Sequence, residues 1–480
     1  MTNLSDLFPA GAGKQVSFVA SGTLSNGQAV ALKSDGTVEA ITGIVGSFTT
    51  FSGSAPSNDI GAVYDSSNNK IVIAYRNDTA TTGEAVVGTV SGTSISFGTP
   101  VTFTSDNPTE PNIAYDSTNN KVVISFNDNT NNLGKAVVGT VSGTSISFGT
   151  VATFESAATG YNAITYDTSA QKMVIGYSDA GNSSYGTAVV GTVSGTSISF
   201  GTPTVFNSAG TTMYVRNVYD SAQNKTVIAF RDVTPVTGAA LVATVSGTSI
   251  SFGSKATFNS GVAEYIYGTY DSTNSKVIYT FSDGSNSDKG TAIVGTVSGT
   301  SVSFGTKVVF SDRGTYSPGV TYDPDANKVY VSYRGLVSGV GNKGFINTGV
   351  VSGTSISFSN ETVYFDGTTL YNSPVYDSNS QIIVNSFKDN TAAVGKSFTY
   401  NPSGVVNTNF IGITDAAISS AASGNVTIKG GIAVNGLSSL TPGSDYYAQA
   451  DGTISTVSTG SAVKIGRAMS ATSINLEYQS

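Results

Sequence analysis

The sequence contains no cysteine and no histidine. Without cysteine there is no disulfide framework, no thiolate zinc site and no thiol nucleophile, and the redox compartment leaves no mark. Without histidine the commonest general base, the usual triad partner and the commonest metal ligand are gone. Enzymatic chemistry is thereby confined to carboxylates, lysine and tyrosine. Charge is scarce too: 11% of the 480 residues are Asp, Glu, Lys or Arg, against roughly a quarter in ordinary domains. The net charge of −8, the pI near 4.6 and the lack of any basic run exclude the clustered cations that phosphate binding requires, so no nucleic-acid partner is expected. No apolar run approaches the roughly 18–20 residues of a spanning helix, so no membrane insertion is expected. The opening MTNLSDLFPAGAGKQ carries no charged segment followed by an apolar one, which predicts no export through the usual kind of N-terminal signal.

What the chain has instead is glycine, 55 of them, and repetition. The string VVGTVSGTSISFG occupies 86–98 and returns unchanged at 137–149 and 189–201. A Tyr-Asp pair recurs at 64–65, 115–116, 166–167, 219–220, 270–271, 322–323 and 376–377, at intervals of 51 to 54 residues. Ser-Gly falls at Gly92, Gly143, Gly195, Gly247, Gly299, Gly353 and, in the degraded copy NPSGVV, at Gly404. An aromatic stands eleven residues after each tyrosine: Tyr75, Phe126, Tyr177, Phe230, Phe281, Tyr333 and Phe387. Length variation is confined to segments outside these landmarks, as in surface loops that tolerate insertion.

Within one unit four strands are predicted, Asn112 to Asp116, Lys121 to Asp128, Lys135 to Val141 and Ser145 onward, the last with an irregularity at Gly149. Turn-forming Asn, Gly, Asp and Ser fill the breaks. KVVISF lacks alternation and should be buried on both faces, whereas SISF alternates and should bury one. A four-stranded sheet covered on both faces needs a neighbour on each side, and radial stacking supplies it. The expectation is an all-β fold: a seven-bladed β-propeller of ~52-residue four-stranded repeats, with a small β-sandwich or barrel module formed by the chain ends. A β-solenoid is the competitor, but its coils are shorter and lack three hairpins each. GIVGSFTTF at 43–51 precedes Tyr64 as TPVTF at 99–103 precedes Tyr115, so the N-terminal side is expected to complete the seventh unit. The predicted domains are an N-terminal β segment at 1–42, the propeller at 43–404 and a C-terminal β module at 405–480, which 1–42 is expected to join.

The chain ends resemble each other locally. GQAVALKSDGTVEAI carries Asp35-Gly36-Thr37 and GSDYYAQADGTISTV carries Asp451-Gly452-Thr453 at the same offset, each a strand, an Asp-Gly hairpin and a strand. The ordered pattern NFIGITDAAISSAASGNVTIKGG, GLSSLTPGSDYYAQADGTIST and VKIGRAMSATSINLEY, over 409–477, resembles C-terminal modules of structural proteins of tailed bacteriophages, and VASGTLSNGQAVALKSDGTVEAI at 19–41 is similar to the segment that opens them. The resemblance covers about a quarter of the chain and contains no catalytic motif. It implies a virion component, a tail fibre, tail-tip or head-surface appendage, assembled in the host cytoplasm, and it does not explain the propeller.

Several constellations could carry chemistry. The Asp of each Tyr-Asp pair precedes a turn whose N–H groups it can accept, a structural role. Two residues after the repeated aromatic stand Asn77, Asp128, Asp179, Asp232, Asp283, Gly335 and Asp389. Paired carboxylates could hydrolyse a glycan, but that requires one raised acid beside an ionised one, and uniform repeats give each copy the same surroundings. FSDGSNSDKG at 281–290 spaces oxygen ligands as calcium loops do, without the downstream bidentate Glu. No phosphate loop is present. The residues directly after the aromatic differ most, and Arg76, Arg231, Arg334 and Lys388 are the candidate binding residues, placed on one rim where loops begin.

The reading is a non-enzymatic bacteriophage structural protein, with no catalytic residue, metal or cofactor, whose propeller loops contact a host cell-surface glycan or receptor or other virion proteins. A symmetric homo-oligomer is expected. The alternatives are a carboxylate-dependent glycan hydrolase of tailspike type and a bacterial extracellular adhesin.

Overall fold

The structure, a computed structural model, describes residues 14–33, 35–41, 45–54, 56–338, 341–359, 361–401, 410–448, 454–456 and 463–477. The protein is all-β, and its strands pair antiparallel throughout the sheets. Among the described residues no helix is long and apolar enough to cross a membrane. The chain divides into two compact units, Phe48–Phe398 and a second made of Met1–Ser47 with Thr399–Ser480.

In the larger unit every repeat folds into one antiparallel sheet. In the second repeat the inner strand Pro108–Asp116 pairs with Lys121–Asp128, which pairs with Leu133–Ser142. The outer position is shared by two short strands, Ser145–Phe148 and Ala152–Glu155, both laid against Leu133–Ser142 and separated by Gly149. The inner strand starts four residues earlier than the sequence predicts. A bulge between Thr109 and Asn112 takes up Pro111, which could not donate to a regular ladder. Lys121–Asp128 is buried at every position but its first, whereas Ser145–Phe148 alternates.

The inner strands contact one another in order, Pro56–Asp65, Pro108–Asp116, Thr159–Asp167, Thr212–Asp220, Ala263–Asp271, Val308–Asp323 and Thr369–Asp377, and the last contacts the first. The fold is a β-propeller. Val308–Asp323 runs unbroken from the outer position of the fifth sheet into the inner position of the sixth. The seventh sheet is completed by Thr49–Ser52, paired with Val394–Tyr400. Phe51 of that strand packs on Tyr75 and Phe97 of the first repeat, with ring centroids 5.3 and 5.9 Å apart, as Phe103 packs on Phe126 and Phe148 one repeat on, at 5.3 and 5.8 Å. Each fully buried aromatic of this kind contributes about 1.5–3 kcal/mol, and tilted ring pairs add to that. The Ser-Gly landmark at Gly404 lies outside the described residues.

The copied string packs against its own next copy. A Cβ on Gly98, Gly149, Gly201, Gly253 or Gly305 would stand 1.7 to 1.9 Å from the carbonyl oxygen of Thr144, Thr196, Thr248, Thr300 or Thr354, each in the following SGT turn. The glycine is fixed by this contact, because the atom it meets is main chain and cannot move aside as a side chain would.

The second unit contains two five-stranded sheets. One holds, in order, Gln15–Val19, Ser423–Ile428, Phe410–Thr414, Ala29–Leu32 and Val38–Ala40, so two strands from the C-terminal side lie between strands from the N-terminal side. The other holds Ile432–Ala433, Ser473–Leu476, Val463–Ser470, Asp445–Ala448 and Ile454–Ser455. Ala29, Ala31, Phe410 and Ile413 of the first share a core with Tyr446, Ile465, Ile474 and Leu476 of the second. The Asp35-Gly36 hairpin forms, with Gly36 at φ +83° and Asp35 accepting the Thr37 N–H at 2.9 Å. Asp451-Gly452-Thr453 lies outside the described residues.

Candidate functional site

The bulge near the start of each inner strand breaks the alternation of side chains, and in the second to seventh repeats a residue within it takes a left-handed conformation. Glu110, Tyr161, Tyr214, Tyr265, Ser317 and Tyr371 have φ of 48 to 57°. Non-glycine residues there cost roughly 1 kcal/mol or more each. Five of these residues, Glu110 and the four tyrosines, come together at the centre of the ring, where they line a cavity of about 330 Å³. A second cavity of about 140 Å³ is lined by positions just beyond the bulges, Pro111, Arg216, Tyr267, Val320 and Pro374 among them. Arg216 and Tyr267 border both.

The tyrosines form an arc. Ring centroids are 5.0 Å apart for Tyr161 and Tyr214, 5.3 Å for Tyr214 and Tyr265, and 5.7 Å for Tyr265 and Tyr316. Arg334 caps the arc, its guanidinium 3.9 Å from the Tyr316 ring centroid, and Arg231 holds Glu264 at 2.7 Å. Glu110 accepts the Tyr161 N–H across one repeat. Burial, and then neighbouring carboxylates, push the phenols of Tyr161, Tyr214 and Tyr265 above their usual value, so they stay protonated donors. Burial pulls Arg334 below the usual arginine value, while the tyrosines around it act the other way. Tyrosines elsewhere spend their hydroxyls on the fold, as in Tyr166 to Thr118 at 2.6 Å and Tyr177 to Glu155 at 2.9 Å. The hydroxyls of Tyr161, Tyr214 and Tyr265 make no hydrogen bond among the described residues.

The four residues singled out from the sequence do not begin loops. They lie in the last turns of the ladder on the second strand of their repeats, half-buried, opposite the inner strand beside its bulge: Arg76 opposite Ser57, Arg231 opposite Met213, Arg334 opposite Tyr316 and Lys388 opposite Leu370. The early start of the inner strand extends pairing over them. Arg231 and Arg334 join the tyrosine arc, and their charges act on Tyr161 and Tyr265 respectively. Arg76 reaches Asp78 at 3.5 Å, and among the described residues Lys388 makes no ion pair.

The acidic candidates are occupied. Asp65 accepts the N–H groups of Ser67 and Asn68 at 3.0 and 3.1 Å, and Asp116, Asp323 and Asp377 do the same in their turns. These caps stand at the end of the inner strand opposite the bulge. Asp128, Asp232, Asp283 and Asp389 are buried and paired with Lys135, Lys255, Lys307 and Lys396 at 2.5 to 2.8 Å. Asp283 therefore spends one oxygen on Lys307 and the other on the Ser285 N–H inside FSDGSNSDKG. Asp179 has no lysine; burial, and then the charge of Glu155, raise it.

The sequence reading missed the tyrosines and Arg216. A signal existed: tyrosine stands five residues before the Tyr-Asp pair in four repeats, at 161, 214, 265 and 371.

No family model matches the chain, and no curated protein matches it. Among solved structures, the Dos1 propeller is similar at 10% identity over 75% of this chain and 96% of that one, TM-score 0.47. The β-propeller domain of the Trilobed protease from Pyrococcus furiosus is similar at 11% over 73% and 96%, TM-score 0.41. The polysaccharide lyase Uly1 is similar at 9% over 74% and 99%, TM-score 0.46. At these identities and scores they carry no argument about what this chain binds or does.

Proposed function

We propose that this chain is a non-enzymatic structural component of a bacteriophage particle, a tail fibre, tail-tip or head-surface appendage, that contacts the host surface through the mouth of its propeller channel. The observation that carries the binding role is the tyrosine arc. Rings in contact, three hydroxyls without a hydrogen-bond partner among the described residues and flanking guanidinium groups are binding chemistry on a rigid scaffold. The absence of catalysis is supported by the use of Asp128, Asp232, Asp283 and Asp389 as buried ion-pair partners. The virion setting rests on the resemblance carried by 409–477 and 19–41.

Antibody raised against the full chain should decorate particles at one location, and purified full-length protein in excess should slow adsorption of those particles to host cells. Undecorated particles with unaltered adsorption would sink the proposal.

One observation favours the hydrolase reading instead. Asp179 is raised by burial and then by its neighbour Glu155, and a raised acid beside a second carboxyl group is a pairing that glycan hydrolysis uses. Against it, Asp179 is only 8% exposed and Glu155 accepts the Tyr177 hydroxyl. Depolymerisation of host capsular polysaccharide by the native chain, abolished by Asp179→Asn, would establish that reading over the first.

A further inference from the structure

The seven repeats place Gly61, Asn112, Ala163, Arg216, Tyr267, Gly319 and Ser373 at one equivalent inner-strand position. Only one is charged, so the ring has a single guanidinium where its pseudo-symmetry would give seven like residues. Arg216 is held from two sides. Its guanidinium lies 4.5 Å from the Tyr267 ring centroid, and its Nε donates to the Ile266 carbonyl at 3.1 Å. Those contacts fix the plane of the fork and leave both terminal nitrogens without a partner among the described residues. Arg216 also makes no ion pair there, unlike Arg231 and Arg313, which hold Glu264 and Glu361 at 2.7 and 2.5 Å.

A half-buried, oriented arginine with two unspent donors matches a planar carboxylate, whose two oxygens take both N–H groups in parallel. Above it the faces of Tyr161, Tyr214 and Tyr265 offer apolar surface, and their hydroxyls, which make no hydrogen bond among the described residues, offer donors and acceptors. Glu110, in the same cavity, disfavours a dianion and can accept from a ligand hydroxyl. The cavity of about 330 Å³ lies at the small end of ordinary ligand pockets, roughly 300–1,000 Å³. The ligand these features describe is small, carries one carboxylate, has an apolar face and is ringed with hydroxyls.

We propose that the channel mouth is a binding site for a single carboxylated sugar residue, such as the terminal hexuronic acid of a surface glycan, with the carboxylate forked by Arg216 and the sugar face laid on the arc of Tyr161, Tyr214 and Tyr265. The proposal rests on the attachment reading above and supplies its ligand class. It accounts for tyrosine at four left-handed positions, where Gly or Asn would relieve the backbone.

The test is calorimetric titration of the full-length chain with a glucuronic-acid-terminated trisaccharide, with the same trisaccharide after reduction of its carboxyl to an alcohol, and with a neutral trisaccharide carrying a sulfate ester. The acid should bind at least tenfold more tightly than either comparison sugar. Arg216→Gln should remove that preference by lowering the affinity for the acid at least tenfold, and Tyr214→Phe, which keeps the ring, should weaken the acid about threefold to tenfold. Melting temperatures of both variants within a few degrees of the parent show that the fold is kept. Equal affinity for the acid and reduced sugars, tighter binding of the sulfate ester, or an unchanged preference in Arg216→Gln would each overturn the assignment. Binding to none of the three would overturn it as well, while particle decoration and slowed adsorption would still uphold the attachment reading.

Discussion

The position after the bulge residue holds Asn162 in the third repeat and Asn372 in the seventh, and the two differ in their partners. Asn372 accepts the Tyr364 hydroxyl at 2.6 Å and is completely buried. The residue equivalent to Tyr364 one repeat before Asn162 is Phe154. Asn162 is 4% exposed, and neither its Oδ1 nor its Nδ2 has a partner among the described residues. The next repeat puts Val215 at this position, 2% exposed. An orphaned buried polar group costs about 1–3 kcal/mol, so Asn162→Val should stabilise the propeller by about that much. Unfolding entropy of about 2.1 cal/mol/K per residue over Phe48–Phe398 converts each kcal/mol into roughly 1.4 °C. Differential scanning calorimetry of the full chain should therefore show the propeller transition raised by about 1–4 °C. Phe154→Tyr should also stabilise, by supplying the missing donor, but only where Asn162 is present; the double variant measures the coupling. Asn372→Val should lower the transition. A lower midpoint for Asn162→Val, or an equal effect of Phe154→Tyr in both backgrounds, would refute the reasoning.

Gly149→Ala drives a Cβ into the Thr196 carbonyl, 1.8 Å away, and should cost more than about 3 kcal/mol; Gly143→Ala meets nothing within 4 Å but sits at φ +60° and should cost about 1–2 kcal/mol, a difference read from urea midpoints. Lys135→Met leaves the buried Asp128 carboxylate without its cation and should cost about 3–5 kcal/mol at pH 7. That loss should shrink as pH falls, because in the native chain Asp128, though burial opposes its charge, is held below the ordinary 3.8 by its bonds to Lys135 and Asn131: the stabilisation is full above 3.8 and disappears through the lowered value. Asp179 is raised instead, so its carboxylate destabilises the fold at neutral pH and the penalty vanishes below 3.8; Asp179→Asn should raise the melting temperature at pH 7 and leave it unchanged at pH 3.

Much of the architecture was legible because it is local and repeated. The turns after Tyr-Asp are capped by an aspartate two and three residues away, and the strand KVVISF declares its burial through unbroken apolarity. Seven copies of one packing problem leave seven copies of one solution. The site was less legible. Arg231 and Arg334 could be singled out as unlike residues at like positions, but Arg76 and Lys388 share that property, and sequence alone does not tell which of the four reach the tyrosine arc. Nothing in a run such as TMYVRNVYD marks Tyr214 as facing the channel rather than the sheet interior, since alternation alone assigns faces by counting and a bulge resets the count.

The amino-acid order by itself determined the all-β class, the repeat and its strand pattern, because hairpins, Asx turns and period-two burial are settled by residues within about a dozen positions of one another. Only the tertiary structure decided that Tyr161, Tyr214, Tyr265 and Tyr371, about fifty residues apart in succession or more, meet around one cavity with Arg216 beneath them. Cyclic packing brings equivalent positions together at the axis, and the left-handed bulge residue fixes which side chain of each inner strand turns toward it.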